Sequence, residues 1–158
     1  IGSGSGVIFG VTGGVTEAVL RRLQQGHNRV DMESIKKSGV RGDDGIKVLT
    51  YNYNGREIKA AVVNGLANAD KVLQQIKNHE AEYDFVEVMA CRRGCIMGGG
   101  QPVNAGPRTR KARMKGLYDT DVNTQIKKSN ENPMILSLYD TLLKGKEHEL
   151  LHRNFSGK

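Results

Sequence analysis

Asp84-Phe85-Val86-Glu87-Val88-Met89-Ala90-Cys91-Arg92-Arg93-Gly94-Cys95, followed two residues later by Gly98-Gly99-Gly100-Gln101-Pro102, is the stretch on which the reading of this chain turns. Its first part is a short apolar run rich in β-branched residues, which predicts a strand over 84–90. Its second part is a glycine-rich loop that carries both cysteines of the chain. A loop at the end of a strand is where open α/β folds usually place their chemistry.

A disulfide across so short a loop would not organise a fold of 158 residues, so the thiols are expected to be reduced. Thiolate is the usual ligand of iron–sulfur clusters, and glycines around it expose backbone N–H groups that can donate to cluster sulfurs. Gly94, Gly98, Gly99 and Gly100 suit that role. Arg92 and Arg93 bring positive charge next to the thiols. Residue chemistry alone leaves four readings open: an iron–sulfur site, a redox pair, a zinc site, and cysteines that are incidental. Zinc would need His27, His79, His148 or His152 brought near, and none stands at finger-like spacing.

Outward from the loop, the pattern is that of an α/β layer fold. Ile46 to Tyr53 and Glu57 to Val63 are strand-like and flank Asn54-Gly55, a strong hairpin signal. Asn64-Gly65 closes the second strand, and Ala69, Val72, Leu73 and Ile76 mark an amphipathic helix over about 66–79. Towards the N-terminus, Gly6 to Val11 is an apolar run broken by glycines. Thr12 stands where a helix N-cap belongs, and Val15, Ala18, Val19 and Leu23 predict a helix over about 14–25. Residues 27–45 read as a polar loop with a short helix near Met32 to Lys37. Beyond Pro107 the chain is expected to be helical, over about 108–127, again from Asn132-Pro133 through Leu143, and finally from His148 to Arg153, with Gly145 as an interruption.

Composition narrows the function classes. Twenty-four basic against 17 acidic residues give +7, but the charge is scattered. Its densest stretch, Arg108 to Lys115, has no interleaved aromatics to stack bases, so no nucleic-acid partner is expected. It reads as a solvated helix face or as a surface for an acidic protein. No apolar run is long enough to span a membrane, so no membrane partner is expected. The chain begins at Ile1 without a Met or a signal pattern and is expected to be an interior segment of a longer protein. Gly2 to Gly14 lacks the Gly-Lys-Ser/Thr ending of a phosphate cradle. His148-Glu149-Leu150-Leu151-His152 has the spacing of a zinc protease motif, but no third ligand follows before Lys158.

Phe85 to Cys91, Cys95, and Gly98-Gly99-Gly100-Gln101-Pro102 together resemble the third cluster motif of the FeFe (iron-only) hydrogenases. Ser5 to Val15 resembles that family's glycine-rich segment beside the active cluster, and Ala61 to Ala69 its strand–turn–helix before the cysteine motif. Asn132 to Tyr139 and His148 to His152 resemble its C-terminal helices. The resemblance thus runs through the chain in order. It implies one lobe of the hydrogenase catalytic domain: a mixed β-sheet flanked by helices, with a large-subunit-like C-terminal region over 1–107 continuing into small-subunit-like helices over 108–158.

The same resemblance implies reversible hydrogen oxidation and proton reduction at an H-cluster, a 4Fe-4S cubane joined to a two-iron unit. Cys91 would ligate the cubane, and Cys95 would bridge it to the two-iron unit. Met89, Phe9, Gly10 and Gly6 would line the pocket beside that unit. The family's other cubane ligands, its proton-relay cysteine and its cyanide-binding lysine have no counterpart here. The partner implied is therefore the N-terminal half of the hydrogenase, in the same or a separate chain, without which no complete active site is expected. Ferredoxin or a similar electron carrier is the further partner implied. Continuity of the helices with the cysteine motif favours the single-chain, cytoplasmic type. Two departures stand out: Arg92-Arg93 replaces a stretch usually rich in Pro and Gly, and Thr16 stands where Met is common, which implies a less apolar cluster pocket. The alternatives are a hydrogenase-like protein of iron–sulfur cluster assembly without the two-iron unit, and a sensory or inactive relative or a truncated fragment that binds nothing.

Overall fold

The computed structural model of the chain describes residues 2–26, 29–103 and 106–153. Its sheet has three strands in the order β1 (Ile46–Tyr53), β2 (Arg56–Asn64), β3 (Phe85–Met89). β1 and β2 form the expected antiparallel hairpin. Asn54 and Gly55 both take positive φ, 51° and 80°, which matches the right-handed twist of the flanking strands. β3 pairs parallel to β2, with Asn64 opposite Met89, and this crossover is made by α4 (Leu66–Lys77). β2 is central, so Ala60 to Asn64 are buried on both faces.

Each face of the sheet has its own core. Ala60, Val62 and Leu49 pack with Leu20, Ile35 and Val40, from α2 (Gly14–Leu23), α3 (Met32–Lys37) and the loop after it. Ala61 and Val63 pack on the other side against Ala69 and Val72 of α4. The start of β3 is fixed by Asp84, whose carboxylate accepts from the Lys59 N–H (2.9 Å) and from Arg56 (2.7 Å). Those bonds hold the Asp84 carboxyl below the usual carboxylate range.

The N-terminal segment is helical rather than merely apolar: α1 (Gly4–Val7) runs into a 3-10 turn over Ile8–Gly10. The N-cap of α2 is Gly13, not Thr12. Thr12 instead accepts from Asn64 Nδ2 (3.3 Å), because the free N–H groups of the helix start are met by Glu87 from β3. The buried face of α2 also differs from its apolar stripe. Val15, Ala18, Val19 and Leu23 are only half-buried, whereas Thr16, Glu17, Leu20 and Arg21 are buried.

The reason is an ion network that joins α2 to α5 (Pro107–Asn123). Arg21 donates to both carboxylate oxygens of Asp121 (2.7 Å each) and to Glu17 (2.6 Å). Glu17 also receives a two-point contact from Arg41 (2.7 and 2.8 Å), and the Arg41 guanidinium lies 4.1 Å from the Tyr118 ring centre. Two cations and two anions thus balance in a place where Arg21 and Glu17 are 0 % exposed. Burial works against the charge on Arg21 and on Arg41, but their carboxylate partners outweigh it and hold both above the usual arginine range.

α5 ends at Asn123, earlier than the predicted 127. Beyond it, the carbonyls of Ile126 and Lys127 accept from Gly4 N (2.8 Å) and Ser5 N (3.0 Å), the free donors of α1. α6 (Pro133–Asp140) starts as predicted, with Asn132 accepting from Met134 N at 3.0 Å. It stops short of Leu142 and Leu143, and Leu143 turns inward as a buried residue. α7 (Glu147–Leu151) completes the described chain. Among the described residues no helix is long and apolar enough to cross a membrane.

Candidate metal centre

The cysteine loop leaves the sheet at the C-terminal end of the parallel pair. Its backbone is a run of tight turns: Gly94 N donates to Cys91 O (3.2 Å), Met97 N to Gly94 O (3.1 Å) and Gly98 N to Cys95 O (3.0 Å). Cys95 opens a 3-10 turn, Cys95–Met97. Both cysteines are free and exposed.

Two glycines explain the loop's compactness. A Cβ on Gly98 would lie 2.8 Å from Cys91 Sγ, so the first thiol rests directly on bare backbone. A Cβ on Gly94 would lie 2.8 Å from Thr12 N, 3.0 Å from Gly10 O and 3.2 Å from Met89 Sδ, and Gly94 has φ 85°. The loop is therefore packed against the Gly10–Thr12 segment, with the Met89 thioether at the junction. Met89 is buried, at 8 % exposure.

Gly10 and Cys95 share a hollow of about 530 Å³, walled by Val7, Ile96, Gln101, Arg113 and Leu117 among others. Arg113 on α5 donates to Ile96 O (2.6 Å) and Pro102 O (3.3 Å), so α5 clamps the loop from behind. Cys95, Gly10 and Met89 are thus brought together around the cysteine loop. Phe9 is not with them: it is 45 % exposed and lines a separate apolar groove of about 360 Å³ with Val15, Ala18, Val19 and Leu23. Gly6 is exposed and donates its N–H to Ser3 Oγ (3.2 Å).

The two departures also find their places. Arg92 and Arg93 line a polar groove of about 420 Å³ with Asp43, Asp44 and Arg110, away from the Cys95 hollow. Arg93 is a non-glycine residue at φ 67°, and its N–H donates to Asn64 Oδ1 at 2.7 Å. The Thr16 hydroxyl donates to Glu87 at 2.7 Å; its partner is a buried carboxylate on β3, not the Cys95 hollow.

Among the described residues, no three His, Cys, Asp or Glu side chains converge as a metal site. His148 and His152 do share a helix face, with rings stacked 5.0 Å apart, but they gather no third ligand. His27, a zinc candidate, lies outside the described residues. The donor set on offer is two soft thiols on a glycine-cleared loop. That set fits part of an iron–sulfur cluster, whose remaining ligands would come from elsewhere.

Sequence reading missed Asn64, Glu87 and Arg113 as builders of this site. Arg113 sits in a basic stretch read as solvated, and nothing in the stretch itself singles it out. Asn64 carried a signal only as the last residue of a strand before Gly65.

Residues 1–99 match the family model described as the C-terminal domain of the iron-only hydrogenase large subunit, and residues 107–158 match the iron hydrogenase small subunit. Iron hydrogenase 1 of Clostridium pasteurianum is 38% identical over 160 residues, covering 95% of this chain and 28% of that protein. The periplasmic [Fe] hydrogenase large subunit of Nitratidesulfovibrio vulgaris is 44% identical over 104 residues, covering 66% of this chain and 25% of that protein. The solved [FeFe]-hydrogenase HydA1 of Chlamydomonas reinhardtii superposes with TM-score 0.64 at 34% identity, covering 98% of this chain and 47% of that one. A probable cytosolic Fe-S cluster assembly factor of Aedes aegypti is more distant, 27% identical over 154 residues, covering 91% of this chain and 31% of that protein. The chain spans less than a third of these curated relatives and about half of the solved structure.

Proposed function

The chain belongs to the iron-only hydrogenase family, and from that premise we propose that it forms one lobe of a hydrogenase catalytic domain that interconverts hydrogen with protons and electrons. The observation that carries this reading is the packing of the cysteine loop on Gly10–Thr12 with the Met89 sulfur between them. In this proposal Cys91 and Cys95 are the thiolates that would hold the cluster. When bound, the H-cluster supplies the electron storage and the hydrogen chemistry. The protein's residues supply the cradle. Gly98 lets Cys91 Sγ lie against the backbone, and Val7, Ile96 and Leu117 give the hollow apolar walls. Met89 and Gly10 are proposed to border the two-iron unit, whereas Phe9, in its separate groove, and the exposed Gly6 stand outside the Cys95 hollow.

The other cubane ligands are proposed to come from the N-terminal half of the hydrogenase, in the same polypeptide or in a partner. Support comes from α6 and the turn after it, where Leu136 is 50 % exposed and Leu142 71 %. Apolar side chains so placed call for a covering surface. The division at residue 107 is supported by the two family models, and the Arg21–Asp121 contact ties the two parts together. A ferredoxin-like electron carrier and a cytoplasmic setting complete the proposal. The cytoplasmic setting rests on both modules being present in one chain, whereas the relative named as a periplasmic large subunit matches only 104 residues.

The test is infrared spectroscopy and hydrogen evolution with a reduced dye, on the matured full-length protein. Carbonyl and cyanide bands together with hydrogen are expected. An iron–sulfur spectrum without those bands would favour the assembly-protein reading and refute this one.

A further inference from the structure

Asn64 is 2 % exposed and ends β2 directly beside Met89. Every polar atom of its side chain is engaged. Oδ1 accepts from Arg93 N (2.7 Å), and Nδ2 donates to Asp44 O (2.8 Å) and to Thr12 Oγ1 (3.3 Å). The partners dictate which way the amide points, since a backbone N–H must meet oxygen and a backbone carbonyl must meet nitrogen. Its main chain is equally fixed: Asn64 N donates to Gly45 O (2.9 Å), and Asn64 O accepts from Asn68 Nδ2 (2.8 Å).

The Arg93 end of this arrangement is the informative one. Arg93 has φ 67°, a left-handed conformation that a side chain disfavours. It is the second residue after Cys91 and the second before Cys95. Without an outside partner, an arginine there would relax towards negative φ and carry both cysteines with it. One buried amide meets the Arg93 N–H and at the same time the Thr12 hydroxyl of the segment that packs on Gly94.

We infer that Asn64 is a positioning residue for the cluster ligands: it holds Arg93 in its left-handed corner and so fixes Cys91 and Cys95 relative to the Gly10–Thr12 segment. The inference rests on the proposed role of the two cysteines, but its first measurement does not need the cluster.

In the full-length protein without metal, Asn64→Ala is expected to change the alkylation rates of the exposed Cys91 and Cys95 about fivefold or more, because a buried backbone donor loses its partner and the corner between the two thiols relaxes. Arg93→Gly, placed on Asn64→Ala, is expected to restore the wild-type rates, since glycine adopts the left-handed corner unaided. In the cluster-loaded protein, the two variants should respectively shift and restore the paramagnetic-resonance line shape. Unchanged alkylation in Asn64→Ala would overturn the inference. So would a failure of Arg93→Gly to restore. If Asn64→Ala does not fold alone, the double variant decides: a folded protein with wild-type alkylation rates supports the inference, and an unfolded one overturns it. A wild-type protein that never takes up iron would refute the cluster reading yet leave the alkylation result standing.

Discussion

Glu87 Oε2 accepts from both the amide and the hydroxyl of Thr16, each at 2.7 Å, while its other oxygen accepts from Gly13 N at 2.7 Å. A carboxylate on β3 thus caps α2 from across the chain, where a negative charge also suits the helix dipole. Glu87→Gln keeps the shape but turns an amide group towards donors. It is expected to cost about 1–3 kcal/mol, and Thr16→Val about 1 kcal/mol. Denaturant midpoints of the full-length variants check both. A neutral Glu87→Gln would deny the cap its role.

Arg21 is the hub of the buried ion network, between Glu17 and Asp121. Arg21→Met strips the buried Asp121 of its two-point partner and leaves Glu17 with Arg41 alone; it is expected to destabilise by about 3–5 kcal/mol. Since Asp121 belongs to α5 and Arg21 to α2, the loss should also loosen α5. Faster hydrogen exchange at residues 107–123 than at the β-sheet amides is the matching observation; uniform exchange across both would contradict it.

Gly98 and Gly94 are expected to fail in different ways when changed to alanine. At Gly98 the nearest obstacle is the Cys91 sulfur, which can swing aside. The fold should hold while iron uptake falls. At Gly94 the obstacle is Thr12 backbone nitrogen, and φ is 85°. Gly94→Ala should cost about 1–3 kcal/mol and lower the denaturant midpoint. Equal loss of stability in both variants would contradict the stated packing.

Tyr118 is pushed up to about 12, mainly by burial and then by the nearby Glu17 charge. Its folded value lies above the ordinary 10.0, so the folded state keeps a proton that the unfolded chain releases. The associated stability is complete below pH 10.0 and lost as pH rises towards about 12. Tyr118→Phe should therefore flatten the alkaline fall in stability and remove a late step from the phenolate absorbance titration. An unchanged titration curve would refute the assignment.

The hairpin, the crossover helix and the cysteine strand were legible because each carries a local signal: Asn54-Gly55, the spacing of Ala69 and Val72, the run Phe85 to Met89. The orientation of α2 was not. Its apolar stripe at Val15, Ala18, Val19 and Leu23 is the more exposed face, and only the distant Asp121 and Arg41 make burial of Glu17 and Arg21 possible. The segment just past α5 is likewise engaged from afar, its carbonyls accepting from Gly4 and Ser5. At the site, the cysteines and glycines announced themselves. Asn64, Glu87 and Arg113 did not, because a hydrogen bond between residues far apart in sequence leaves no periodic trace.

The most direct test of the central claim is iron and sulfide content, with paramagnetic resonance, for the reconstituted full-length protein and its Cys91→Ser and Cys95→Ser variants. Loss or marked disturbance of the cubane signal in each variant, with secondary structure retained, is the result predicted. A wild-type cubane signal that survives both substitutions unchanged would show that these thiols hold no cluster.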